Sequence, residues 1–549
     1  MEEHLMGNMK SKLTNNIKLG LRLKALLLVL LAIGTTAAFA QPSEPGKKRD
    51  RGEGPYDRLI IRGVNIIDGT GGPVSGPKDV VIEGNKIVSI HGVGYPGVPI
   101  SDRGRPSGAT KEIDATGMYL MPGFIDLHVH TGGQPKVPNA DYVYKLWLAH
   151  GVTTVRGVPF SSVDWSLSEK ERSAKNEIAA PRMVSYHRIG SSGKGWKGGD
   201  MNDPETVREW VRWANKVGID GLKLGAHDPE IMEAAIDEAN KLGMGTTAHL
   251  DQAGVVRMNT LDAARLGLGA QTHYYGLFES LYEGHDVQPY PIDHNYMNEQ
   301  HRFGQVARQW NKIVEPGSER WNAMIEELIA LDFTMDPTMT IYEASRDVMR
   351  ARNKDWHRDY TLPTLWDFYK PSRRAHGSYW FYWTTQDEIE WKRFYSTWMQ
   401  FLNDYKNAGG RVTTGSDSGF IYNTYGFGYI REFELLQEAG FHPLEVIRSA
   451  TLYGAEELVK ASGGTIDRGI IRPGKLADLV IVEENPLENF KSLYGNGAIR
   501  LKGVNEIERV GGVKYTIKDG IIYDAKQLLE DVRKMVDEQE NKLGKKDMY

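Results

Sequence analysis

Cysteine is absent from all 549 residues. That excludes disulfide bridges, thiolate metal sites, a cysteine nucleophile and a lipid-modified cysteine behind a leader. Any metal ion must be held by histidine, carboxylate or a less usual ligand. A basic excess is also lacking, with 67 Lys+Arg against 72 Asp+Glu. The chain therefore has no electrostatic footprint of a nucleic-acid binder, and nucleic acid is not expected as a partner.

Long apolar runs are confined to one stretch, Leu23 to Ala40. It is preceded by the cations Lys10, Lys12, Lys18 and Arg22 and carries Lys24 as its second residue, is short for a membrane span, and ends in Ala38-Phe39-Ala40, a small-x-small cleavage pattern. Residues 1–40 read as a signal peptide cleaved after Ala40, which predicts a periplasmic or secreted protein without a stable membrane anchor; the alternative is an N-terminal anchor. Cleavage removes five cations and two anions from a net charge of −5, leaving −8.

What is present is a β/α rhythm. Residues 41–55 show no apolar periodicity and read as a flexible leader. Short β-branched runs punctuated by Gly, Asn and Asp fill 56–121 and return in 468–525, so both chain ends are expected to form one small composite β-sandwich. Between them, over 122–467, eight candidate strands lie at 124–130, 152–158, 182–189, 220–225, 245–250, 270–275, 333–340 and 411–417, mostly followed by helical patterns. This predicts an α/β fold, a (β/α)8 TIM-like barrel, with chemistry at the C-terminal strand ends. A charged, helix-favouring tail occupies 526–549.

Polar residues recur at those strand ends. His128 and His130 are two apart in a strand and share a face. Lys223, His249 and His273 follow at intervals of 26 and 24 residues, one strand-plus-helix unit each, and the spacing places them at equivalent depth on three successive strands. Asp417 closes the eighth strand and adjoins the first once a barrel closes.

This order, with LMPGFIDLHVH, TTGSD and RPGKLADLVIV, resembles the amidohydrolase superfamily of metal-dependent hydrolases over about Leu59 to Tyr523, and within it the imidazolonepropionase-like and prolidase-like dipeptidase branch. The resemblance implies two divalent metal ions, zinc by preference, with Mn, Co or Fe also suited to the ligands. It assigns His128, His130 and Asp417 to one ion, His249 and His273 to the other, and a carbamate formed from Lys223 and carbon dioxide as the bridge; without that carbamate, Lys223 reaches solvent and one ion is left. A hydroxide shared by two ions would attack a C–N bond, with Asp417 as the catalytic proton acceptor.

His187, Arg188, His227 and Tyr274 lie near strand ends and are candidate substrate contacts. His273 and Asp417 are 144 residues apart, far more than two β/α units require, which predicts an insertion around 341–410. Residues 356–401 hold 15 aromatics, including YWFYW at 379–383, consistent with a lid, a subunit interface or the packing of an inserted subdomain. The expected activity is hydrolysis of a small peptide or N-acyl amino acid by an exported homo-oligomer. Cyclic-amide hydrolysis or deamination on the same barrel, and a non-catalytic binding barrel, are the alternatives.

Overall fold

The computed structural model describes residues 41–284, 287–372, 377–378 and 380–545. The expected signal peptide, residues 1–40, lies outside the described residues, as does Tyr379 of the aromatic run. Among the described residues no helix is long and apolar enough to cross a membrane.

The N-terminal runs form β1 (Leu59–Ile66), β2 (Ser75–Glu83), β3 (Lys86–Gly92), β4 (Lys111–Asp114) and β5 (Tyr119–Pro122). The barrel strands follow: β6 (Phe124–Val129), β7 (Val152–Gly157), β8 (Arg182–His187), β9 (Gly221–Leu224), β10 (Gly245–Ala248), β11 (Ala270–Thr272), β12 (Thr334–Asp336) and β13 (Arg411–Val412). The C-terminal part adds β14 (Leu479–Val482), a protruding hairpin of β15 (Ala498–Lys502) and β16 (Glu506–Val510), then β17 (Val513–Lys518) and β18 (Ile521–Asp524).

Strands β6 to β13 lie side by side in chain order, and every neighbouring pair is parallel. The sheet curls until the segment after β13 meets β6, where Leu127 N–H donates to Thr414 O at 3.0 Å and Asp417 N–H to His128 O at 2.8 Å. Gly415 permits this closure: a Cβ there would come within 2.7 Å of Asp336 Oδ1 and 2.8 Å of His128 Cβ. The fold is a TIM-like barrel with a separate sheet domain.

The two chain ends combine in one eight-stranded sheet, ordered β18-β17-β14-β5-β1-β2-β3 with β4 alongside β1. β14 shows why its sequence, LVIV, is apolar throughout. Leu479 and Ile481 face the sheet's own core with Leu59, Ile61 and Ile517, while Val480 and Val482 face the main core shared with the barrel. Each such buried side chain contributes about 1.5–3 kcal/mol, so this strand welds the units together.

The expected flexible leader is instead docked. Ser43 is buried and donates to Val137 O at 2.6 Å, Gly46 N–H donates to Glu169 Oε2 at 2.8 Å, and Arg51 pairs with Asp531 at 2.7 Å. Its anchors are hydrogen bonds and ion pairs, which leave no apolar periodicity to read. The partner Asp531 sits on the C-terminal helix Ala525–Leu543, whose Leu528, Leu529, Val532 and Val536 are buried.

The expanded connections are 273–333 and 337–410 on either side of β12. In the second, the helix Thr385–Asn407 buries Trp391, Phe394, Tyr395, Trp398 and Phe401. Trp391 stacks on Tyr342 at 5.9 Å and 8°, and Tyr274 meets Trp391, Phe394 and Trp398 edge-on. The aromatic density is internal packing that backs one wall of the barrel mouth; Phe381 and Tyr382 are exposed.

Candidate metal centre

Strand alternation positions the first histidines. On β6, Ile125 and Leu127 pack with Ala455 under the helix Leu452–Lys460, so Asp126 and His128 turn to the barrel interior. His130 lies just past the strand, where its Nδ1–H donates to Pro159 O at 2.8 Å and leaves Nε2 as the open acceptor. Asp417 is the hub. His130 Nε2 and His128 Nε2 lie 3.5 and 3.6 Å from its Oδ1, and His273 Nε2 lies 3.6 Å from its Oδ2.

Ligand atoms of His128, His273 and Asp417 fall within 4.8 Å of one another, a spacing one ion can bridge. The side chains fit such an ion in two further respects. His273 Nε2, the nitrogen that faces Asp417, is buried without a hydrogen-bond partner among the described residues, and His273 Nδ1 is held by the Thr338 hydroxyl. Burial also pushes His128 and His273 well below the usual imidazole range and His130 down to about 3, keeping all three in the neutral form that binds cations.

His249 stands beside this group, its ring 4.6 Å from His273 and stacked on Tyr275 at 4.7 Å. Lys223 does not share its depth. The register pairs Lys223 with Thr247, two residues below His249, and the long side chain makes up the difference, with Nζ donating to Thr272 Oγ1 at 2.9 Å. Burial, and then the charge of Arg188, drives the Lys223 ammonium well below its usual range.

Strain marks the same place. His273, Thr338, Asp417, Ile421 and Tyr422 all have positive φ, between 46° and 66°. Such backbone costs on the order of 1–3 kcal/mol per residue and persists only where its surroundings enforce it. Asp126 supplies part of that enforcement: it accepts Ser416 Oγ–H at 2.6 Å, Ser416 N–H at 2.9 Å and His128 N–H at 3.2 Å, joining the strand of the paired histidines to the turn of Asp417. Burial pushes its carboxyl up to about 8.

The cluster opens into a cavity of about 320 Å³ whose walls include Arg188, Asp251, Tyr275, Arg302, Tyr342 and Phe420. Of the four candidate substrate contacts, Arg188 is on the wall. His187 is buried behind it, 3.1 Å from Ser185 Oγ, and His227 is half-buried beyond the rim. Tyr274 turns into the aromatic packing described above, and its neighbour Tyr275 takes the wall position. A larger groove of about 600 Å³ on the outer surface, lined by Glu343, Arg350 and Gln400, contains none of these histidines.

Asp126, Asp251 and Arg302 were not singled out by sequence reasoning, whereas Tyr275, next to His273 and Tyr274, was legible as a residue that either lines the pocket or packs under a helix. Asp126 lies two residues before His128 and Asp251 two after His249, a period-2 signal that could have found both. Arg302, on the helix Glu299–Val306 in an expanded connection, has no such signal.

Comparison with known proteins agrees with this geometry. Residues 395–522 match the Amidohydrolase family. A dihydroorotase of Elusimicrobium minutum is 25% identical over 218 residues, 38% of this chain and 46% of the relative. An adenine deaminase of Escherichia coli is 28% identical over 231 residues, 40% of this chain and 34% of the relative. The chain thus spans less than half the length of these curated relatives. A solved Xaa-Pro dipeptidase with bound methionine superposes with a TM-score of 0.53 at 19% identity, covering 85% of this chain and all of that one, a likeness of fold. The family match over residues 395–522, the barrel and the histidine–aspartate cluster agree, and the chain is similar to the amidohydrolase family.

Proposed function

We propose that the protein is a metal-dependent hydrolase that cleaves the C–N bond of a small peptide or N-acyl amino acid. The observation that carries this reading is the convergence of His128, His130 and His273 on Asp417 at the floor of a cavity bearing Arg188 on its wall. His128, His130, His273 and Asp417 would hold divalent ions, with His249 beside them. Such ions supply Lewis acidity, lowering the pKa of water and polarising a carbonyl oxygen.

The chain's own groups do the rest. The Asp417 carboxylate, mostly buried yet open to the cavity, accepts the proton of the attacking water and passes it to the leaving amine. Arg188 gives a guanidinium for a substrate carboxylate. Burial, and then the charge of Arg188, lowers the Lys223 pKa and so favours the free amine, the form that adds carbon dioxide; with loss of one proton the resulting carbamate anion would offer oxygen donors to divalent ions.

The relatives favour a second reading, since one is a dihydroorotase and the other an adenine deaminase: opening of a cyclic amide, or deamination. A panel of dipeptides, N-acyl amino acids, dihydroorotate and adenine, offered to zinc-loaded protein, separates these. Release of amino acids supports peptide or acyl-amide hydrolysis, and turnover of the cyclic or aminopurine compounds alone overturns it. Residues 1–40 are proposed to direct export, which predicts mature material beginning at Gln41.

A further inference from the structure

Two charges of opposite sign line the cavity without engaging each other. Arg188 makes no ion pair among the described residues, and neither does Asp251. Asp251 Oδ1 accepts the Ala253 N–H at 3.0 Å in a tight turn, and its other oxygen takes no hydrogen bond among the described residues. The two side chains are nevertheless close enough to feel one another. Burial lowers the Arg188 pKa while Asp251, and then Asp417, act to raise it. The half-buried His227 faces Asp251 from the rim.

Arg302, the other guanidinium on the wall, is already committed. Its Nε donates to Gln252 Oε1 at 2.9 Å and its Nη1 to Glu299 Oε1 at 3.0 Å. It braces the wall and has a carboxylate of its own. Arg188 and Asp251 are the pair left for a ligand. Arg188 is exposed and Asp251 half-buried, so both are open to a ligand, and opposite charges set on one cavity wall favour a ligand whose own charges complement them. A ligand with a cation at one end and an anion at the other satisfies both. The cavity, near the lower end of the range for small-molecule sites, limits that ligand to a short one.

We propose that the substrate is a zwitterion, a short peptide whose free amino terminus is held by Asp251 and whose free carboxylate is held by Arg188, and that Asp251 excludes N-acylated compounds. This rests on the hydrolase reading above and narrows it, because an N-acyl amino acid carries no ammonium for Asp251.

The test is a binding measurement that needs no turnover. The ketomethylene isostere of Ala-Phe, which cannot be cleaved, and its N-acetyl form are titrated calorimetrically into the full chain in one zinc-containing buffer, with metal content recorded. The free isostere is expected to bind at least 10-fold more tightly. Asp251→Asn should erase that preference by weakening the free form alone, leaving the acetylated form within twofold. Equal affinities in the unsubstituted protein, no binding of either form, or equal weakening of both by Asp251→Asn overturns the proposal; the first two outcomes need no variant. Discrimination in binding without cleavage of any dipeptide would instead fault the hydrolase reading and leave the zwitterion site standing.

Discussion

Lys136 holds its ammonium 3.7 Å from the centre of the Phe420 ring, with the Phe368 ring 4.4 Å away on another side. The group is buried, makes no ion pair among the described residues, and donates to Gly419 O at 3.2 Å. It thereby pins the strained turn that carries Asp417 and Phe420 to the helix Pro363–Phe368 of the expanded connection. Removing the charge relieves its desolvation but frees the turn. Lys136→Met is expected to leave the melting temperature unchanged or raised while kcat falls about 10-fold or more, by analogy with other losses of positioning. Thermal unfolding and steady-state kinetics check this. A large fall in melting temperature with unchanged kcat would show that Lys136 is structural only.

Asp126 offers a sharper separation of roles. Asp126→Ala leaves the Ser416 and His128 backbone N–H groups buried without acceptors, which costs about 1–3 kcal/mol for each unsatisfied group. Urea unfolding should show a loss of that order, and zinc affinity should fall because the paired histidines and Asp417 lose their common tie. Zinc affinity equal to that of the unsubstituted chain would contradict the tie.

Glu343 gives a pH prediction away from the metal centre. Burial raises its pKa, but Arg431 at 2.7 Å and Lys354 outweigh that and hold it at about 2, below the ordinary 4.5. A carboxyl depressed on folding contributes stability that is complete above its unfolded pKa and lost as pH falls through the folded one. The contribution should therefore fade between about pH 4.5 and pH 2. Glu343→Gln, which breaks a buried pair, should cost about 3 kcal/mol at pH 7 and much less at pH 2.5. Urea unfolding at both values measures it, and an equal cost at both would contradict the pairing.

Legibility in the sequence followed periodicity. His128 and His130 could be read because a strand repeats every two residues, and His249 and His273 because a β/α unit has a typical length. Lys223 shows where spacing misleads, since counting residues cannot register one strand against the next. The barrel was legible for the same reason, whereas the docked leader 41–55 was not, because its anchors are polar and irregular. Lys136 and Arg302 belong to connections whose positions depend on tertiary packing. The aromatic insertion was visible as composition, but only contacts such as Tyr342 on Trp391 show that it backs the cavity wall.

The central claim is that His128, His130, His273 and Asp417 form a metal centre. Zinc titration of chelator-stripped full chain, read by equilibrium dialysis and elemental analysis, tests it most directly. The account predicts about two ions per chain, with Asp417→Ala losing at least one while the chain stays folded by circular dichroism. A folded chain that takes up no zinc, or an Asp417→Ala variant that retains every ion, would contradict it.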